Sequence, residues 1–445
     1  MSKKSKTYIE QLSIDSFLEN TLDSKQTESI PAEKATFVPA ENHSWSASQN
    51  RKTYPVHLLE DFNQFMIFVK ENMVQITKKA EYISPKYLLL INERLSIKAQ
   101  DVTAYTKQEY YPYIHFFYHL ALAGGLIEKI YHDSTSAKPI IKVTERWNLY
   151  NERTETEKYI FLLETFWIDV NWAGLLGQRT NFVSHILPVV FEKLMDKDAH
   201  FRIDFDREKE SLLANLTHNW HHFFLFLEWL GIWVCEKNQE KMDDYGRKNY
   251  YFVKSITLTD FGKKIVPILW QQRKVELWNL ALRRELGEIN PIPGSDLPDM
   301  EDDPNPSEKP PLFYQAFSHI FDKRELRETF PRIERAFIPG VYRFKVALDK
   351  NSWCEVVLDG EQSMGDLSNS ILRAFGFDHD HLYSFFMDGI KWSHEAIVSP
   401  ADNSGEPIAD EVKIGSVGLR KGKQFLYLYD YGEEWTFKVT VKHID

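Results

Sequence analysis

Cysteine is almost missing from this chain. Its 445 residues carry two, Cys235 and Cys354, each set in an apolar run. That excludes a disulfide framework and a zinc site built on clustered thiolates, and it suits a reducing compartment. Long hydrophobic runs are missing as well. The most apolar window, FFLFLEWLGIWVC from Phe223 to Cys235, is too short to span a bilayer and carries Glu228. No apolar stretch follows the basic opening MSKKSKTYIEQ, so no secretory leader is expected and the protein reads as cytoplasmic. There is no glycine-rich phosphate loop, no Gly-x-Ser-x-Gly elbow, no His-Glu-x-x-His and no dinucleotide fingerprint, so no small-molecule cofactor is expected. An excess of positive charge is lacking too. A net charge of -11 argues against a chain that coats nucleic acid over its whole surface, yet it leaves room for a local basic face.

What is present is a composition of packed domains, 43% hydrophobic and 14% aromatic, in a chain too long for one core. The expected fold class is therefore multidomain. Residues 1–52 are rich in Ser, Lys, Glu, Asn and Thr and read as a flexible tail. Within it, YIEQLSIDSFLEN has the spacing of an amphipathic helix or docking motif.

From 53 to 286 the periodicity is helical. HLLEDFNQFMIFVKENM puts Leu58, Phe62, Phe65, Val69 and Met73 on one stripe. In SPKYLLLINERL, Ser84 reads as an N-cap and Pro85 as the first helical residue, where the missing amide proton does no harm. An internal repeat follows: YIHFFYHLALAGGLIE resembles WHHFFLFLEWLGIWVCE. His115 and His222 each precede Phe-Phe, and Gly124 and Gly231 lie equally far downstream. A polar stretch comes next in each copy, then an apolar strand ending in a Thr-acid step, IIKVTERW and SITLTDFG. Helix, glycine turn, strand, polar loop and strand is the order of a winged helix. Units 53–152 and 153–286 are read as tandem winged-helix-like units, with a plain helical bundle as the alternative. The expected wings carry Lys138 and Lys142 in one copy, and Arg247, Lys248 and Lys254 in the other. These are the candidate phosphate contacts of a DNA-binding module. The alternative is a solvated hairpin in a module that binds protein. The pairs His115/His119 and His218/His222 have the i, i+4 spacing of zinc ligands, but no third ligand stands beside them and core histidines are the favoured reading.

GEINPIPGSDLPDMEDDPNPSEKPP, residues 287–311, reads as an extended Pro/acidic linker. Beyond it, 312–445 reads as an α+β domain. It opens with a helix over YQAFSHIFDKRELRETF. Strands follow at Tyr342–Asp349 and in SWCEVVLDGE. A helix with a Ser363/Asp366 capping box carries a buried stripe of Leu367, Ile371, Leu372 and Phe375, and it ends at Gly376.

Two blocks carry a resemblance. AFGFDHDHLYSFFMDG joins a helix end, an Asp-rich turn and a His-Leu-Tyr-x-Phe strand. FLYLYDYGEEWTFKVTV sets Asp430, Gly432, Glu433 and Glu434 between two apolar runs. In this order they resemble the signature blocks of the Ri-plasmid ORF-three-like family, also known as insertion-element passenger proteins. TFKVTV departs from the pattern, lacking the His often found just after the Trp. The resemblance covers about residues 335–445 and implies a compact α+β domain linked to mobile elements, with no activity attached. Physically, Gly432 is expected to supply the bend, Asp430 to cap it, and Trp435 to bury its ring. Asp378, Asp380, His381, Tyr429, Asp430, Glu433, Glu434 and Trp435 form the candidate ligand or partner surface. Its oxygen and nitrogen atoms suit a hard cation, while a purely structural turn is the favoured reading, so no metal is assigned. The expected function is a non-enzymatic binding or adaptor protein that contacts DNA or a protein partner through its helical half. The competing expectation is a metal-dependent enzyme or regulator using the acidic face of the last domain.

Overall fold

The computed structural model describes residues 54–445 apart from 79, 131–137, 178–182, 206–221, 245–250, 287, 289–290, 297–311, 333–336, 390, 394, 403 and 405. The expected tail, His218, Arg247, Lys248 and most of the Pro/acidic segment lie outside the described residues.

Helix α1 (Val56–Glu71) buries Leu58, Phe62, Phe65 and Val69, as their spacing predicts. Met73, expected on the same stripe, lies past the helix end and is 77% exposed. α2 (Pro85–Arg94) starts with Pro85 at its first turn. Ser84 occupies the cap position, but its hydroxyl makes no cap bond and is buried without a partner. α3 (Pro112–Ala123) leads to the hairpin of β1 (Ile127–Ile130) and β2 (Ile140–Val143), and Gln75 bridges Ile140 from the far side. Next come α4 (Arg146–Asn151), α5 (Glu155–Glu164) with a π-helical end, α6 (Trp172–Leu176) and α7 (Val183–Leu194). β3 (Arg202–Asp204), α8 (residues 222–229), β4 (Trp233–Lys237), α9 (Gln239–Asp244) and β5 (Val253–Leu258) complete the second copy, whose strands run in the order β3-β5-β4. In the second copy β3 pairs with β5, the second strand of the hairpin, and in the first copy the isolated bridge from Gln75 meets β2, its second hairpin strand.

The two glycine turns correspond with a slip of one residue from the spacing of the sequence. Gly125, not Gly124, takes the left-handed φ of 66° that matches 84° at Gly231. Leu126 N bonds Ala121 O and Ile232 N bonds Leu227 O, the six-to-one closure of a Schellman end. Thr144 and Thr259 then donate their hydroxyls to Gly125 O and Gly231 O, each at 2.6 Å.

Helices α10 (Asp260–Pro267), α11 (Val275–Trp278) and α12 (Leu280–Glu285) close this half. Of the segment beyond α12, the described residues 288, 292, 295 and 296 are held by Arg283. The guanidinium of Arg283, fully buried, forms a two-pronged pair with Glu288 at 2.6 and 2.8 Å. It also donates to the carbonyls of Leu277, Ile292 and Ser295, each at 2.8 Å. After residue 311 the chain returns to the same core. Arg273 donates to Leu312 O and Phe313 O at 3.0 and 3.1 Å. The long helix expected over Tyr314–Phe330 is a single 3₁₀ turn, Phe313–Phe317, followed by irregular chain. Tertiary contacts override helix propensity here: Phe317, Phe321, Leu326 and Phe330 are buried in the helical core. Polar groups follow α5 in step. Glu157 accepts from Arg327 N, Glu164 accepts from the Thr329 hydroxyl, and Arg332 pairs with Asp169.

A separate core begins at Tyr342. Strands β6 (Val341–Ala347) and β7 (Trp353–Asp359), helix α13 (Met364–Phe375), and strands β8 (Tyr383–Phe386), β9 (Ala396–Val398), β10 (Gln424–Tyr429) and β11 (Trp435–Ile444) follow. They form one antiparallel sheet in the order β7-β6-β11-β10-β8-β9. The capping box of Ser363 and Asp366 closes the start of α13, and Gly376 ends it in the left-handed region with φ 73°. Leu367, Ile371 and Leu372 bury the predicted stripe against one face of the sheet, with Phe375 packed at its margin. The fold is thus helical with small antiparallel sheets in its first part and a six-stranded sheet at its end. Among the described residues, no helix is long and apolar enough to cross a membrane.

Candidate functional site

The acidic hairpin is built by its two flanking strands. Tyr429 opposes Trp435 at the last rung, leaving 430–434 as the loop. Asp430 and Glu434 each adopt φ 57°, and Glu434 N closes the loop on Asp430 O at 2.6 Å. Asp430 Oδ1 accepts from Gly432 N at 2.9 Å and Glu433 N at 3.4 Å. The expected cap is therefore made by Asp430, whose short side chain suits both the turn and the left-handed region. Gly432 does not supply the bend: it is absent from the positive-φ positions, which fall on the two acids instead.

Around this loop the Asp-rich turn comes close. The Tyr429 hydroxyl donates to Asp378 O and, at 3.2 Å, to Asp380 Oδ1. His381 Nε2 stands 3.5 Å from Asp380 Oδ1 and 3.8 Å from Asp430 Oδ2. Tyr429, Asp380, His381 and Asp430 thus share one patch. Glu434 turns away to Lys391 Nζ at 3.0 Å, and Glu433 is exposed. Trp435, expected to be buried, is 40% exposed; one edge of its ring rests on Phe377 at 5.2 Å. Trp435 opens β11, two residues before Phe437, where the buried core begins. Among the described residues, no group of three or more His, Cys, Asp or Glu is arranged to hold a metal ion. The Asp430 carboxylate serves its own turn, and that of Glu434 pairs with Lys391.

The helical candidates separate in the same way. His115 is a core residue: Nε2 donates to Leu175 O at 2.9 Å, and Nδ1 stands 3.0 Å from the Gln108 amide. Burial lowers it to about 4, so the ring is neutral near pH 7. His119 stacks edge-on against His115 and is lowered further by burial and by that neighbour. Lys138 and Lys142 are exposed, and Lys142 lies opposite Glu128 in the hairpin. Lys254 lies 3.6 Å from Glu236.

Sequence reasoning missed two further groups. Tyr431 donates to Asp402 Oδ2 at 2.5 Å and meets Ser384 Oγ at 2.7 Å, tying the hairpin to a loop about thirty residues earlier. Arg420 pairs with Glu128 at 2.9 Å, and Asn171 donates to Glu395 at 3.0 Å, joining the last domain to the helical half. Neither contact has a local signal, because each partner lies far away along the chain.

No curated protein matches the chain. A solved structure of a protein of unknown function from Methanosarcina mazei Go1 is similar at 22% identity with a TM-score of 0.20. The match covers 24% of this chain and 61% of that one. The C-terminal domain, residues 340–445, matches the family of plasmid pRiA4b ORF-3-like proteins.

Proposed function

We propose that this chain is a non-enzymatic binding protein in which two winged-helix-like units carry a plasmid ORF-3-like domain and touch DNA phosphates through a wing. The observation that carries this reading is the repeated pairing: β3 pairs with β5, the second hairpin strand of its copy, and in the first copy an isolated bridge from Gln75 meets Ile140 of β2, the second hairpin strand there. Exposed Lys138 and Lys142 flank the first wing. In a groove-reading winged helix the third helix enters the major groove. Here α3 buries Tyr113 to Tyr118, and α8 buries Phe223 to Leu227. Contact through the wing alone implies phosphate recognition with little base readout. The proposed domain limits are 53–152 and 153–286 for the two units. The linker is proposed at 287–311; Arg283 holds Ile292, Ser295 and Asp296 near its start, and Arg273 holds Leu312 and Phe313 just past its end. The proposed start of the last domain accordingly moves from 312 to about 340. An association with mobile elements rests on the family alone.

A mobility-shift assay with a short duplex tests the wing. Binding is expected at low salt, weakening as salt rises, and falling in Lys138→Glu plus Lys142→Glu and in Arg247→Ala plus Lys248→Ala. No shift at any salt sinks the DNA reading. A protein partner is the second reading, favoured by Met73 and Leu90, which are large, apolar and exposed on the first unit. The metal-dependent alternative predicts that Mn²⁺, Mg²⁺ or Zn²⁺ raises the melting temperature and that Asp430→Ala plus Glu434→Ala abolishes the rise. The dispersed carboxylates favour no rise.

A further inference from the structure

The six-stranded sheet has β9 at one edge and β7 at the other, and the two edges are built differently. β9 is three residues long, and a returning loop caps it. Val398 N donates to Pro407 O at 2.9 Å, and Val398 O accepts from Ala409 N at 2.7 Å. β7 is seven residues long, WCEVVLD, with an unbroken register against β6 and no proline, lysine or bulge. Those are the devices that usually keep a sheet edge from pairing again.

The pairing with β6 fixes which backbone groups of β7 are left over. Gly360 N donates to Gly340 O at 2.8 Å, and Leu348 N donates to Ser352 O at 2.9 Å. In an antiparallel ladder such exchanging pairs recur at every second residue. Cys354, Val356 and Leu358 therefore turn their N–H and C=O groups to β6, and their side chains pack on the core. Trp353, Glu355, Val357 and Asp359 turn theirs to the outer edge, and all four side chains are exposed. Asp359 is closed by its own turn: its N–H donates to the Gln362 side chain at 2.9 Å, and its C=O accepts from Gln362 N at 3.0 Å. Among the described residues, no hydrogen bond reaches the edge groups of Trp353, Glu355 or Val357. Trp353 is 49% exposed and Val357 48%.

We propose that β7 is a dimerisation edge, pairing antiparallel with β7 of a second copy of this chain about a two-fold axis at Glu355. The free residues lie evenly about Glu355, so this register alone matches every free N–H with a free C=O of the other copy. Trp353 then stands opposite the second copy's Val357 on both sides of the axis, an aromatic–β-branched pair of the kind that stabilises sheets. A two-fold contact demands such a self-complementary pattern. A foreign strand could use the same groups without any need for their symmetric spacing. The unfavourable pair is Glu355 against the second copy's Glu355, and Lys345, opposite Glu355 on β6, flanks it in each sheet. An edge of so few rungs makes a small interface, so the dimer is reversible, with a dissociation constant on the order of 10–100 µM.

The test is sedimentation equilibrium of the full chain from low to high micromolar concentration, with thermal melting to confirm that each variant is folded. Val357→Pro removes an edge N–H and no bond to β6, so the strand tolerates it, and the dimer should weaken about tenfold or more. Trp353→Glu, which leaves the backbone groups in place, should weaken it about tenfold through the lost cross-strand pair and the added charge. Glu355→Gln should tighten it about two- to fourfold, because the opposed carboxylates are gone. Hydrogen exchange at residue resolution supplies a second readout. The amides of Trp353, Glu355 and Val357 should gain protection as concentration rises, whereas that of Val356 is protected throughout. A chain that stays monomeric well above the expected dissociation constant overturns the proposal, whether or not a foreign peptide binds. So does a dimer that is indifferent to Val357→Pro and Trp353→Glu, or one in which those three amides exchange alike at all concentrations. The wing reading uses none of these residues, so the two can fail separately.

Discussion

The rings of Phe116 and Phe226 lie 5.0 Å apart and within 7° of parallel. Each belongs to one copy of the internal repeat, so the two copies meet through their repeat helices. Trp229 adds contacts to Tyr113 at 4.6 Å and to Phe116 at 5.7 Å. The helices that a DNA-reading module would offer to a groove are here the seam of a single aromatic core.

Phe116→Ala or Phe226→Ala is expected to cost about 3–5 kcal/mol each, since both rings are buried and the seam cannot collapse around a cavity. Urea denaturation measures it. The double variant should lose about 0.5–1.5 kcal/mol less than the two single losses combined, because they share one ring contact. Strict additivity would mean that the stack contributes nothing beyond burial.

Arg283→Ala is expected to cost about 3–5 kcal/mol, because it leaves Glu288 and several carbonyls without their donor. Arg283→Lys should recover little of this, as an ammonium cannot form the two-pronged pair. A Lys variant as stable as the parent, by chemical denaturation, would contradict that account.

Glu164 sits beneath the segment that leads into the last domain. Burial raises its carboxyl to about 7, and the Thr329 hydrogen bond and the charge of Arg332 offset only part of that shift. Asp169, Arg146 and Arg273 are the other charged groups around it. An unfolded chain titrates near the ordinary value of about 4.3. Between those two values the native state holds a proton that the unfolded state has lost, so this group's contribution falls as pH rises through the window. The stability of the parent relative to Glu164→Gln should therefore drop by roughly 2–3 kcal/mol from pH 5 to pH 8. A pH-independent difference would show that Glu164 keeps its ordinary titration.

Asp430→Ala should destabilise the last domain by about 1–2 kcal/mol, through a lost cap and an alanine forced to positive φ. Asp430→Asn keeps the acceptor and tolerates the left-handed region, so it should stay within about 0.5 kcal/mol of the parent. Gly432→Ala is expected to cost less than Asp430→Ala, since Gly432 is not left-handed and the added Cβ meets only Asp430 Oδ1, at 3.2 Å. Thermal unfolding followed by near-ultraviolet circular dichroism reports all three. If Gly432→Ala is the worst of them, the bend has been assigned to the wrong residue.

Local chemistry was legible wherever neighbours in sequence are also partners in space. The capping box of Ser363, the left-handed Gly376, the stripe of α13 and the cap by Asp430 involve residues within a few positions of each other. The alternation of the last strands and the two blocks of the family resemblance could be read for the same reason. The repeat was legible as a pattern, although its register slipped by one, because Gly124 and Gly125 differ in dihedral angle and not in identity.

The amino-acid order alone thus determined the caps and the buried stripe of α13, the cap by Asp430, and which family the last hundred residues resemble. Tertiary structure decided everything that depends on distant partners. It folded Phe313–Phe330 back into the helical core, turned a predicted helix there into an irregular strap, and faced Phe116 with Phe226. It also left Trp353 49% exposed, with Lys345 of the neighbouring strand over its ring. Short-range preferences amount to a fraction of a kcal/mol per residue, whereas each buried ring or paired arginine contributes several. Where the two disagreed, the long-range contacts prevailed.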